Sequence, residues 1–231
     1  MMTPSRTRSS SRSSSVSKRS RYTSSKKKKY FTKNPVTVRL GKQPIPKQLF
    51  NRLKYAETIN VNIGVSGLGN YLYSCNGMYD PNITGTGHQP MYFDQFTAMY
   101  DHYTVLKSMM KATIVANSTG ACIFSLGQDD DTTISAANSY TIWERTGYQT
   151  KVVNAPVEPS NTSLWSKWDA KKVFGCDPQS DPSMQGSATS NPTEQTYYNL
   201  YFDTLPSTTV TVLVEIWFDV VWDEYVSMVS S

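Results

Sequence analysis

From Tyr55 the chain alternates. Tyr55, Ile59, Val61, Ile63 and Val65 share one side of a period of two, and Thr58, Asn60 and Asn62 share the other. That pattern predicts a half-buried strand. Gly64, Gly67 and Gly69 end it, and Tyr71, Leu72 and Tyr73 open a second strand. The pattern then changes. Residues 76–90 hold Asn76-Gly77, Asp80-Pro81, Gly85 and Gly87, side chains that supply the special backbone angles of tight turns. Pro90 suits the first position of a helix, where a missing N–H does no harm. Over residues 91–103 apolar side chains recur at helical spacing, at Tyr92/Phe93, Phe96, Met99/Tyr100 and Tyr103. At residues 103–106 aromatic and β-branched residues restore the strand preference, and a long strand is predicted to residue 116.

The same reading predicts strands over residues 121–127, 151–153 and 164–174, with a helical turn near 140–145. Residues 175–195 contain Pro178, Pro182, Gly186 and Pro192 and hardly any apolar side chain, which predicts a long surface loop. Two strands close the chain, over 196–202 and 210–222. In the last, Val210, Val212, Val214, Ile216, Phe218, Val220 and Trp222 form an unbroken apolar row. At ~3.3 Å per residue it spans roughly 40 Å. Eight strands with loop-rich connections and one or two short helices predict an all-β fold. The expected form is a single eight-stranded jelly roll, a two-sheet β sandwich, over residues 51–231.

Charge sets residues 1–50 apart. Arg6, Arg8, Arg12, Lys18, Arg19, Arg21, Lys26, Lys27, Lys28, Lys29 and Lys33 occur before residue 34 with no acid among them. Sixteen basic residues precede the first acid, Glu57; the seven that follow face all eighteen acids, so residues 57–231 sum to −11. A basic arm thus precedes a mildly acidic body. The arm has too little apolar surface to offset the entropy of ordering, so disorder is expected. A flexible cationic segment meets phosphates as point charges and releases counterions, which gives sequence-independent, salt-sensitive nucleic-acid binding. Arginine adds bidentate phosphate contacts, and Tyr22, Tyr30 and Phe31 offer rings for base stacking. Lys26 to Lys29, with Arg19 and Arg21 upstream, fit a nuclear-localisation signal. The segment lacks the apolar core of a signal peptide, and its lysine block disfavours a mitochondrial transit peptide, so folding inside the cell is expected. Glu215 and Asp219 interrupt the best apolar run, so no membrane insertion is expected.

Candidate chemistry is sparse. Cys75, Cys122 and Cys176 are odd in number and widely spaced, which gives neither a disulfide framework nor a zinc pattern; they read as buried small hydrophobes. Three Asn-x-Ser/Thr sites, at Asn82, Asn117 and Asn161, read as chance matches without secretion. His88 and His102 are the only histidines. The segment from Gly64 to Leu68 lacks the second spaced glycine of a nucleophile elbow. Asp129, Asp130 and Asp131 read as a solvated turn, because the twelve-residue calcium-loop spacing is absent. No catalytic residue, metal site or cofactor is expected.

Set in order, the basic Ser/Arg/Lys arm, the strand Ala56-Glu57-Thr58-Ile59-Asn60-Val61, the blocks Asn76-Gly77-Met78-Tyr79-Asp80-Pro81 and Gly85-Thr86-Gly87-His88-Gln89-Pro90, and the segment from Phe93 to Tyr103 carry a resemblance. The chain resembles the capsid proteins of circular, Rep-encoding single-stranded DNA viruses (CRESS-DNA viruses, circovirus-like in plan) over nearly its whole length. The resemblance implies a jelly roll that self-assembles into an icosahedral virion shell, with inward arms packaging circular single-stranded DNA. It also implies passage through a host nucleus, hence a nuclear import receptor as partner. With ~60 copies, the minimum that icosahedral symmetry requires, the arms bring roughly 660 to 960 positive charges inside. Shell domains of this plan also occur in small RNA viruses. A nucleic-acid-binding β-sandwich module and a β-sandwich enzyme with a targeting tail are the readings from other classes.

The loop of residues 76–90 is expected to shape an intersubunit contact. Tyr79, Ile83 and His88 are its side chains with something to bury or donate, and Gly87 is placed with them on the expectation of a positive φ angle. His88 can change charge near neutral pH and so tune assembly; the alternative is a neutral ring bonded within its own loop.

Overall fold

The structure, a computed structural model, describes residues 45–117, 121–132, 139–154, 163–204 and 208–226. The elements run β1 (Gln48–Asn62), β2 (Leu68–Ser74), α1 (Phe93–Thr97), β3 (Tyr100–Asn117), β4 (Cys122–Asp129) and α2 (Tyr140–Trp143). They continue with β5 (Gln149–Val153), β6 (Ser163–Asp169), α3 (Ala170–Phe174), β7 (Gln185–Gly186), β8 (Tyr197–Thr204) and β9 (Thr209–Tyr225).

Strands β1-β9-β3-β6 form one sheet, with the two-residue β7 also paired to β3, and β2-β8-β4-β5 form the other. Every pairing is antiparallel. With β7 set aside, the first strand pairs with the last, the second with the second-last, and so inward to β4 with β5. That is a long hairpin rolled into two sheets, the jelly-roll winding. The fold is therefore the all-β sandwich that the alternation predicts.

The row Val210 to Trp222 explains the centre of the first sheet. Its even-numbered side chains are buried in an unbroken run, while the odd-numbered ones up to Asp219 are half-buried on the outer face. β9 pairs with β1 over fifteen consecutive residues, from Gln48↔Asp223 to Asn62↔Thr209. On its other side it pairs with β3 from Tyr100↔Tyr225 to Asn117↔Val210, with register shifts at Val105/Lys107 and Ile114/Ala116. Inward side chains of the second sheet meet this row. Phe124 and Phe202 stack there at 5.4 Å and 13°, beside Leu126 and Leu200.

Trp222 ties three elements together. It is fully buried, its Nε1 donates to Asn51 Oδ1 at 2.9 Å, and it packs on Phe96 (5.1 Å), Tyr103 (5.8 Å) and Phe93 (5.9 Å).

Five local expectations differ from the structure. The first strand begins at Gln48, not near Tyr55, and ends at Asn62, so Val65 lies in a turn, 88% exposed. The helical spacing of residues 91–103 yields only the five residues of α1, because Tyr100 and Tyr103 are taken by the ladder with β9. A helix that short has little stability of its own. Pro90 does not start it: the N-cap is Tyr92, at φ 72°, and the Pro90 carbonyl accepts the Phe93 N–H at 3.1 Å. Residues 164–174 divide into β6 and α3, which Gly175 closes at φ 72°. Residues 175–195 are not a mere surface excursion. Two 3-10 turns, capped by Asp177 and Asp181, bury Pro178 and Met184, and Gly186 pairs with Tyr103 on β3.

The two outer faces differ. Residues 139–148 cover part of the second sheet: Ile142 is fully buried, Asn199 Nδ2 donates to the Tyr148 hydroxyl at 3.3 Å, and the Tyr148 ring occupies the space a side chain at Gly127 would need. The first sheet's outer face carries the ion pairs Arg52–Asp219 (2.5 Å), Lys54–Glu215 (2.6 Å) and Lys107–Asp169 (3.1 Å), whose cations are about half or more exposed.

All three cysteines are free. Cys75 and Cys122 are buried in the core, and Cys176 is half-buried. Burial pushes the Cys75 thiol well up, and burial with the charge of Asp203 pushes Cys122 to about 12. Among the described residues, no helix is long and apolar enough to cross a membrane.

The packing of Trp222 makes a direct prediction. Trp222→Ala in the full-length chain lowers the unfolding free energy by ~3–5 kcal/mol, the cost of an aromatic cavity. Trp165→Ala, on the outer face and 40% exposed, costs less than ~1 kcal/mol. Denaturant unfolding followed by far-ultraviolet circular dichroism measures both, and equal costs would place the core elsewhere.

Candidate functional site

The loop between β2 and α1 is held by contacts that reach far along the chain. Its first turn is fixed at both ends of Ser74: the backbone N–H donates to the Pro81 carbonyl at 2.8 Å, and the hydroxyl accepts the Gly77 N–H at 2.7 Å. The buried Asn76 side chain donates to the Glu194 carbonyl at 2.8 Å and accepts the Thr196 N–H at 3.4 Å. Asn191 then clamps Asp80, accepting its backbone N–H at 3.1 Å and donating to its carbonyl at 3.0 Å. Between them the Tyr103 hydroxyl accepts the N–H of Met78 (3.0 Å) and of Tyr79 (3.3 Å). Backbone groups that the loop cannot pair internally are thus satisfied by the side chains of Tyr103 on β3 and of Asn191.

Farther along, Glu57 is the anchor. It sits on β1 at an inward-facing position of the alternation and is half-buried. Its carboxylate accepts the Tyr73 hydroxyl at 2.5 Å and Asn82 Nδ2 at 2.8 Å. Asn82 also donates to the Tyr71 hydroxyl at 2.9 Å, and its Oδ1 accepts from Thr84 Oγ1 at 2.8 Å and from the Thr84 N–H at 3.2 Å. Tyr55 completes the nest, its hydroxyl without a well-aligned partner. Burial first, and then Glu57, push the phenols of Tyr55 and Tyr73 far up, so both keep their protons near neutral pH. The Asp80 carboxyl is raised as well, by burial and then by the Glu57 charge.

His88 closes the loop onto β1. Its ring packs on Tyr55 with centroids 4.6 Å apart. Nδ1 lies 2.8 Å from the Gln89 carbonyl and Nε2 lies 3.1 Å from the Ala56 carbonyl. Both partners are acceptors. A neutral imidazole can donate to one of them, and the imidazolium can donate to both. Gly87 does not have the positive φ expected of it; Gly85 does, at 72°. Close approach is what requires a glycine at 87, since a Cβ there would lie 2.6 Å from Asn82 Cβ and 2.7 Å from the Tyr55 hydroxyl. Outward, the loop presents Tyr79, 39% exposed, and residues 84–86, while Ile83 is half-buried.

The other candidates are quickly placed. The basic residues from Arg6 to Lys33, including the nuclear-localisation block, lie outside the described residues. His102 faces Glu224 at 3.6 Å, remote from His88 in its contacts. The carboxylates of Asp129, Asp130 and Asp131 lie within 4.8 Å of one another, but Arg145 pairs with Asp129 and the other two are exposed. Sequence reading missed Glu57, Asn191 and Tyr103 as anchors of the loop. For Glu57 there was a signal, a lone acid between Tyr55 and Ile59 on the inward side of a strand.

No protein-family model matches the chain, and no curated protein is similar to it. Among solved structures it is similar to that of Cocksfoot mottle virus, at 9% identity over 77% of this chain and 97% of that one, TM-score 0.49. It is similar to a T=1 subviral particle of a Penaeus vannamei nodavirus capsid protein deletion mutant, at 12% identity over 76% and 98%, TM-score 0.46. It is also similar to the 60-mer of the BFDV capsid protein, at 10% identity over 80% and 97%, TM-score 0.40.

Two substitutions separate close approach from side-chain chemistry in this loop. Gly87→Val destabilises the chain by ~1–3 kcal/mol, because its Cβ meets Asn82 and the Tyr55 hydroxyl. His88→Ala leaves a folded protein and costs ~1 kcal/mol, the worth of a ring contact and a hydrogen bond. Unfolding midpoints measure both; a cost for Gly87→Val no larger than for His88→Ala would contradict the packing described.

Proposed function

We propose that this protein is the coat subunit of a small icosahedral virus, assembling into a shell of ~60 copies and packaging circular single-stranded DNA through its basic arm. The observation that carries the reading is charge placed against fold. Fourteen basic residues and no acid lie in residues 1–50, and the jelly-roll body that follows carries nine basic residues against eighteen acids. Arm and body then have separate tasks, phosphate neutralisation and shell closure, and an acidic body discourages nucleic acid from coating the outside. The chemistry of the body points the same way. His88 is engaged with carbonyls and an aromatic ring and His102 with a carboxylate, so neither is set beside a hydroxyl or thiol nucleophile. In this reading the loop of residues 76–90 meets a neighbouring subunit, through Tyr79 and the exposed tip at residues 84–86. It is suited to that because its own body fixes it from Ser74 to His88.

Size decides between a shell protein and a binding module. Purified full-length chain elutes at megadalton size and shows closed particles in negative stain; a species near the 26.0 kDa monomer would refute assembly. Nucleic acid extracted from the particles is degraded by deoxyribonuclease and resists ribonuclease. The reverse sensitivity would keep the shell and replace its genome by RNA.

Lys26 to Lys29, with Arg19 and Arg21, bind a host nuclear import receptor in this reading. Residues 1–40 fused to a fluorescent protein accumulate in nuclei, and changing the four lysines to alanine returns the fusion to the cytoplasm. Unchanged accumulation would remove the signal from that block.

A further inference from the structure

The body is short of cations, yet it gathers them on one face. From Arg52 onward the chain has only nine Lys and Arg against eighteen acids. Arg52, Lys54, Lys107, Lys111, Lys167 and Lys172 lie on the outer face of the first sheet or line the cavity of about 600 Å³ at its margin. Three carboxylates, Asp169, Glu215 and Asp219, are set among them and take up four of the six in ion pairs. No ion pair among the described residues involves Lys167 or Lys172. With Asp223 at its far end, four of the body's eighteen acids share this face with six of its nine cations, so the face is positive on an otherwise negative body.

Across this face run two indoles. Trp165 on β6 and Trp217 on β9 flank β3 and lie nearly parallel, with centroids 5.9 Å apart and planes at 14°. Lys54 Nζ lies 5.0 Å from the Trp217 ring centroid, and Lys111 Nζ lies 5.3 Å from that of Trp165. Burial does not explain Trp165, which is 40% exposed on the short edge strand of its sheet. Register explains the pairing: Trp165 sits opposite Lys111, and Trp217 opposite Met109, two residues away on the same face of β3. Stacked rings bordered by cations are what unpaired bases on a phosphate backbone engage, since every base has a π-face and every link a charge.

We propose that this face binds single-stranded nucleic acid, with a base stacked on the exposed side of Trp165 and phosphates carried by Lys107, Lys111 and Lys167. The site deepens the packaging role above and rests on it, adding a second, base-engaging contact to the electrostatic contact of the arm. It favours unpaired strands, because a base within a duplex has no free face to offer. Recognition is by base plane and charge, so sequence preference is weak.

The test uses full-length chain and an oligothymidylate, compared with an abasic oligomer of equal length, at raised salt where arm binding is suppressed. Trp165→Ala lowers affinity for the base-bearing oligomer about tenfold and leaves the abasic one unchanged, and Trp165→Phe restores most of the loss. Lys107→Ala with Lys167→Ala weakens both oligomers and flattens the salt dependence by ~0.7 for each phosphate no longer neutralised. Ultraviolet cross-linking to oligothymidylate yields adducts on the peptide that holds residues 163–169. Affinity for the base-bearing oligomer unaltered by Trp165→Ala, or adducts confined to residues 1–44, overturns this inference and leaves the packaging arm intact. Loss of particles in Trp165→Ala with arm adducts unchanged also overturns it and makes the face a contact between subunits. A chain that binds neither oligomer at any salt refutes both this site and the arm.

Discussion

The period of two along β9 is the constraint on which the structure depends. Slipping this strand by one residue against either neighbour would turn its Val/Ile/Phe row to the outer face and drive Glu215 and Asp219 into the core. Carboxylates there would lose Arg52, Lys54 and Lys111 and meet hydrocarbon, a cost no local rearrangement offsets. Since β1 and β3 both pair with β9, they inherit its register. The two shifts in β3 absorb what the strict ladder with β1 does not. The second sheet is then placed by aromatic packing onto the same row.

How legible this was depended on distance along the chain. Alternation exposes its own faces, so the three long strands could be read from neighbouring residues, and eight strands with loop-rich connections named the fold class. Strand order is different, because β1 meets β9 across the whole domain and nothing local in Ile59 or Val212 says so. Where local pattern and ladder compete, the ladder wins. Tyr100 and Tyr103 have helical spacing with Phe96 yet belong to a strand. The loop of residues 76–90 announced itself through glycine and proline, but its clamp, Asn191, lies 111 residues beyond Asp80 and could not be inferred. The error over Gly87 is instructive in the same way. Glycine signals either a backbone angle or a lack of room, and only the neighbours in space tell which.

Glu57 shows how a polar group can organise a loop from within a sheet. A carboxylate at an inward position must find donors, and here Tyr73 and Asn82 supply them. Because Asn82 belongs to the loop, the demand of one inward-facing carboxylate fixes the path of a connector far longer than a turn. His88 adds a second attachment to the same strand, at Ala56. Both attachments come from β1, so a shift of that strand would be felt in the loop.

The cysteines have a consequence for where such a protein can go. No covalent cross-link holds the body together; its cohesion is packing and hydrogen bonding. Cys75 and Cys122 are both buried and held as thiols, which makes them poor nucleophiles and poor targets for oxidants. The body's fold consequently requires no disulfide. Its cohesion is the same whether or not the surroundings favour disulfides, and Cys176 is the one thiol that is not fully buried.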